Sequence, residues 1–154
     1  RPKNHLPRSL WRSHRTHSIP TPKRIVRNIY PTHLVLMIGV NNINSGGHTG
    51  EETAEGTEFI VKSLRKNKPT TKILLLGSFP CRKHATDSRR AEVDALHTSI
   101  QPLADNQNIF YQDLRPLFLN KGGALSVLMS DDAIHINAQG KEAWMKAVLA
   151  FITK

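Results

Sequence analysis

The chain has 154 residues, enough for one domain around a single core. Its formal charge is +10, with 22 Lys/Arg, 12 Asp/Glu and one cysteine, Cys81. That excludes an internal disulfide and a zinc site built on cysteines, and the longest apolar run, Leu34–Val40, falls well short of the ~20 residues that span a bilayer.

The charge is unevenly placed. Residues 1–30 hold eight Lys/Arg and no acid, leaving 14 of the 22 Lys/Arg against all 12 Asp and Glu in the remainder. Residues 1–32 therefore read as a basic N-terminal segment, either a solvated arm or misassigned sequence. Such an arm offers cations to a polyanion. It carries Trp11 and Tyr30 as its aromatics and no zinc-finger, helix-turn-helix or RNA-recognition pattern, so no specific nucleic acid is expected. The chain begins without Met, which reads as a fragment or a processed product.

From His33 onward strands and helices alternate, giving one domain over 33–154. Leu34–Ile38 is an unbroken apolar run ended by Gly39, the pattern of a strand buried on both faces. A polar loop is expected over Asn41–Gly50. Thr49 and Glu52 have the spacing of a capping box, opening a helix that places Ala54, Val61 and Leu64 on one face with Ile60 beside them.

Lys72–Gly77 reads as a second buried strand. A helix follows from about Asp87 to Asp105, its apolar positions Val93, Leu96, Ile100 and Leu103 spaced at 3, 4 and 3. Asn108–Tyr111 reads as a third, shorter strand. The last helix, about Ala138–Thr153, has Asn137 as its N-cap and presents Trp144, Val148, Phe151 and Ile152. Strands separated by helices imply parallel pairing with right-handed crossovers, hence helices on both faces of one sheet. Ligands then sit at the carboxyl ends of the strands.

Two polar clusters stand out. Gly39-Val40-Asn41-Asn42 follows the first buried run, where a rigid strand end can aim an Asn amide at an oxyanion. An Asn-rich turn, which tolerates left-handed backbone, is the plainer reading. Asp132-Ala133-Ile134-His135 precedes the last helix. A carboxylate three residues before a His can accept the ring Nδ1–H and leave Nε2 as a general base; Asp131 competes for that role. A surface His beside a capping Asp is the plainer reading here. Together the clusters supply two parts of an acyl-transfer site.

Leu34–Thr153 resembles the SGNH, or GDSL-like, hydrolases, in particular their platelet-activating-factor acetylhydrolase-like branch. The resemblance rests on "VLMIGVNN", "GHTGEETAEG", "KILLLGSFP", "ALSVLMSDDAIHINAQG" and Trp144. It implies a three-layer α/β/α sandwich with a parallel, flavodoxin-like sheet. It implies hydrolysis of a short-acyl ester of carbohydrate or lipid type through Ser-His-Asp catalysis, with no metal and no organic cofactor. Carried over by motif, Asn41 is the oxyanion-hole Asn, supported by Gly39 and Asn42. His135 is the base and Asp132 its carboxylate. Asn42 stands where many members carry Asp, and Lys141 where an aromatic is common.

The family's nucleophile lies in a Gly-Asp-Ser motif after its first strand, followed by a Gly whose N–H completes the oxyanion hole. Neither motif is found: there is no Gly before Gly39, and Ser9, Ser13 and Ser18 follow no Gly-Asp pair. The expectation is a chain lacking the family's first strand. Three accounts stand open: a lost or misassigned N-terminal part, including a wrong reading frame over 1–30; a non-catalytic relative that binds a polyanion through the basic arm; or an early serine acting from a displaced position.

Overall fold

A computed structural model of the chain describes residues 29–153. Residues 1–28, which hold nearly all of the basic segment, Ser9, Ser13, Ser18 and any counterpart of the family's first strand, lie outside it.

Three parallel strands form one sheet in the order β1 (His33–Leu36), β2 (Lys72–Leu76), β3 (Ile109–Gln112). Leu34 pairs with Ile73 and Ile73 with Ile109, so the three strands run in step. The apolar runs make this arrangement favourable: Ile73, Leu74, Leu75 and Leu76 in the central strand are at most 1% exposed. Alternation sends them to opposite faces. Leu75 joins Ile43, Ala54, Val61, Val93, Leu96 and Ile100 on one side. Leu74 and Leu76 meet Phe79, Leu114, Phe118, Met129 and Val148 on the other. These are the two halves of a three-layer α/β/α sandwich.

The first of those clusters is built by α1 (Val40–Asn44), α2 (Gly50–Asn67) and α3 (Ser88–Ile100). The second is built by α4 (Arg115–Phe118) and α5 (Ala138–Ile152). The capping box forms as the sequence implies: Glu52 N donates to Thr49 Oγ1 and Thr49 N to Glu52 Oε2, both at 3.1 Å, an arrangement that stabilises α2 by about 1 kcal/mol. Asn137 Oδ1 caps α5 from Gly140 N at 3.0 Å. Phe110 and Phe151 meet edge to face at 4.9 Å, joining β3 to α5.

Several bounds differ from the sequence-based expectation. The first strand ends at Leu36 rather than Ile38, and the expected loop from Asn41 opens as the short helix α1. Gly39 causes both. At φ 115 it turns the chain into the left-handed region, which glycine enters without a Cβ penalty, and Val40 then winds into a turn that buries Ile43. The expected helix to Asp105 stops at Ile100 and continues as a 3₁₀ turn, Gln101–Leu103. Pro102 has no N–H to continue the α-helical ladder.

Candidate active site

Three strand ends converge on one edge of the sheet. The Ser78 hydroxyl, just past β2, donates to the Ile38 carbonyl at 2.8 Å. This ties the end of β2 to the segment leaving β1. Behind Ser78 lies His97 of α3, 2% exposed. Its Nε2 is 2.9 Å from the Ser78 carbonyl. A carbonyl only accepts, so Nε2 carries the proton and Nδ1 accepts from the Tyr111 hydroxyl at 2.8 Å. Burial, followed by the nearby Arg115 charge, lowers the His97 pKa. Burial likewise pushes the Tyr111 phenol up to about 12. Both groups are held neutral, and they link the ends of β2 and β3. Arg115 completes the cluster by pairing with Asp113 at 2.7 Å and with Asp94.

The sequence reading did not single out this network. Its one signal is that His97 follows Val93 by four residues, which places a polar ring on the buried face of α3.

Gly39 sits at the bend where the Ile38 segment becomes α1. A Cβ there would lie 2.8 Å from both Leu96 Cδ2 and Thr53 Cγ2, so glycine is required by space as well as by its φ. Asn41 and Asn42 occupy the first turns of α1, and both are exposed. Their backbones anchor the following loop: Asn41 O accepts from Ser45 N and Gly46 N, and Asn42 O from His48 N. Among the described residues no side-chain hydrogen bond occupies the Asn41 amide, which stays available as a donor.

The second cluster is a tight loop closed on itself. Ser130 N donates to His135 O at 2.7 Å and Ala133 N to Ser130 O at 3.0 Å, with Ala133 held at φ 59. That curl brings Asp132 back over the chain. Its Oδ1 accepts from Ile134 N and His135 N, both at 3.0 Å. Its Oδ2 accepts from His135 Nδ1 at 2.6 Å. The ring bond first, then the two backbone N–H groups, hold the Asp132 carboxyl at about 2. The ring pairs with Asp132, not with the neighbouring Asp131. The His135 side chain is 73% exposed, so Nε2 faces outward.

One residue touches both halves. Arg82 N donates to Ala133 O at 2.9 Å, and Arg82 Nη2 reaches Asn44 O at 3.5 Å. The loop of Asp132 and His135 and the helix of Asn41 are therefore within one arginine side chain of each other. Among the described residues no serine hydroxyl or cysteine thiol hydrogen-bonds the His135 ring, and no three His, Cys, Asp or Glu side chains gather as a metal site. A cavity of about 160 Å³ opens behind the β2–α3 connection beside Arg90 and Arg115. It is lined by neither Asn41 nor His135.

The chain matches the model of the GDSL-like Lipase/Acylhydrolase family over residues 11–143. The chain belongs to this family. The resemblance drawn from "IGVNN" and "DDAIHINAQG" is thus borne out, and with it the α/β fold of the GDSL-like hydrolases. Platelet-activating factor acetylhydrolase IB subunit alpha2 of Gallus gallus is 28% identical over 111 residues, 72% of this chain and 47% of that protein. Its counterpart from Homo sapiens is 31% identical over 118 residues, 75% of this chain and 49% of that protein. The chain spans about half the length of the curated relatives it matches.

Solved structures of the same fold include a carbohydrate esterase family 3 protein from Talaromyces cellulolyticus, with a TM-score of 0.64 at 19% identity over 82% of this chain and 61% of that one. An acetylxylan esterase from Geobacillus stearothermophilus superposes with a TM-score of 0.63 at 15% identity, over 83% of this chain and 62% of that one. At such identities the likeness is one of fold. Among the described residues of this GDSL-like chain, no helix is long and apolar enough to cross a membrane.

Proposed function

We propose that the domain over 33–154 carries the base, its carboxylate and an oxyanion donor of a serine-type ester hydrolase acting on short acyl esters, acetate foremost. The observation that carries this reading is the His135–Asp132 pair: Nδ1 is held by a carboxylate at 2.6 Å while Nε2 is left outward. A neutral imidazole in that tautomer is a general base at Nε2. In the mechanism a serine hydroxyl loses its proton to His135 Nε2 as its oxygen attacks the ester carbonyl. Asp132 stabilises the imidazolium, and the Asn41 amide donates to the oxyanion. His135 then returns the proton to the departing alcohol. Water repeats the sequence on the acyl-enzyme and releases the acid.

Ester chemistry of acetylated carbohydrate or lipid type is supported by the names of the relatives, one set being acetylhydrolases and the other carbohydrate and acetylxylan esterases. The serine is assigned to no residue. A second reading has its own observation: no hydroxyl or thiol of the described residues engages His135. On that reading the fold serves as a binding module, with the basic residues 1–32 contacting a polyanion, and its association weakens steeply with salt.

A serine-directed fluorophosphonate, read by intact mass and peptide mapping on wild type and His135→Ala, separates the two. One labelled serine in wild type, lost in His135→Ala, supports the hydrolase. A folded wild-type chain that takes no label overturns it.

A further inference from the structure

The connection between β2 and α3 is rich in cations. Residues 81–90 hold Arg82, Lys83, His84, Arg89 and Arg90 against one acid, Asp87. Asp87 is engaged in capping α3, accepting from Arg89 N at 2.9 Å. Arg90 is buried, and its Nη2 donates to Gly123 O. The exposed remainder is Arg82, Lys83 and His84 in a row. Arg89 extends the same rim, its Nη2 lying 4.0 Å from where a Cβ on Gly47 would stand, beside α1.

Arg82 differs from its neighbours in where its two ends lie. Its backbone is bonded to Ala133, inside the loop of Asp132 and His135, and its guanidinium reaches Asn44 at the end of the helix of Asn41. The side chain thus bridges the two halves of the candidate site. At 3.5 Å the Asn44 contact is at the outer limit of a hydrogen bond, and it engages one of five guanidinium N–H donors. Arg82 also stands at φ 66, a left-handed position where glycine would sit without strain. Side-chain-bearing residues held in that region cluster at ligand sites. In the loop that holds the Arg82 backbone, Asp132 is committed to His135 and Asp131 is exposed.

We infer that Arg82 determines substrate specificity by binding an oxyanion, carboxylate or phosphate, on the same molecule as the ester, so that this site takes anionic short-acyl esters. The inference rests on the reading of Asn41 and His135 as the two sides of an ester site. A planar guanidinium matches both anions through paired N–H donors.

The test uses the alcohol halves of matched acetate esters, so that it reads recognition without requiring turnover. 4-Hydroxybenzoate, 4-hydroxyphenyl phosphate and the neutral 4-hydroxybenzamide are titrated into the full chain, following the amides of 41–44, 82–85 and 132–135 by NMR. The expected result is that at least one anion binds about tenfold tighter than the amide, the effect of one charge-assisted hydrogen bond. That gap closes in Arg82→Gln and partly returns in Arg82→Lys. The tighter of the two anions names the group. Equal affinities for all three ligands, or a gap that survives in an Arg82→Gln chain whose spectrum is otherwise unchanged, overturns the inference. Failure of fluorophosphonate labelling would remove the hydrolase reading and leave this preference standing.

Discussion

The Ser78 hydroxyl donates to the Ile38 carbonyl at 2.8 Å, joining the segments that leave two parallel strands one residue before the Gly39 bend. Ser78 is 1% exposed, so removing the hydroxyl leaves that carbonyl without its partner. Ser78→Ala should cost about 1–3 kcal/mol of unfolding free energy, measured by urea denaturation. It should also shift the amide resonances of 39–42. A variant as stable as wild type, with those resonances unmoved, would show that the bond does not hold the bend.

Gly77 leaves room for the ring that supports Ser78. A Cβ there would overlap the His97 imidazole, and His97 has no slack, being bonded at both nitrogens. Gly77→Ala should destabilise the fold by about 3 kcal/mol, the upper end for overpacking. The same denaturation assay checks it, and a loss of under about 1 kcal/mol would mean that α3 moves aside easily.

The lowered His97 pKa gives the stability a definite pH dependence. Burial and the Arg115 charge keep the folded pKa below the ordinary 6.5, so below that pH the unfolded chain binds more protons than the folded one. The stability is therefore complete above 6.5 and falls as the pH drops beneath it. Unfolding free energies measured between about pH 7.5 and 5 should decline in wild type and be flatter in His97→Gln. Equal slopes in the two proteins would contradict a buried neutral His97.

Asp132 has the opposite sign. Its carboxyl lies near 2, below the ordinary 3.8, because of the His135 ring and then the backbone N–H groups of His135 and Ile134. Its favourable contribution is present above 3.8 and is lost as the pH falls through about 2. A ¹³C titration of the Asp132 carboxyl should show a midpoint near 2, rising in His135→Ala yet staying below 3.8, since the backbone donors remain. An unshifted midpoint in the variant would mean that the ring bond is not made in solution.

On the hydrolase reading, Asn41→Ala removes one donor to the oxyanion and should lower kcat on 4-nitrophenyl acetate by about 10²–10³. Asp132→Asn, which removes the carboxylate charge and lets an amide N–H face Nδ1, favours the wrong ring tautomer and should lower it by up to about 10⁴. Loss of less than threefold in both variants would place the chemistry elsewhere on the chain.

What the sequence alone determined is what lies close together along it. The apolar runs that start at Leu34 and Ile73 supply the strands His33–Leu36 and Lys72–Leu76, because a parallel sheet covered on both faces needs unbroken hydrophobic segments. Thr49 with Glu52, Asn137 with Gly140, and Asp132 with His135 are contacts three residues apart, set by local backbone geometry. The tertiary structure decided contacts that span the crossovers. Ser78 meets Ile38 across 40 residues, His97 meets Ser78 across 19, and Arg82 reaches Asn44 across 38. Nothing in the spacing of those residues specifies such partners. They follow from how far each helix shifts as it packs on the sheet, and that shift is set by the fit of the whole core.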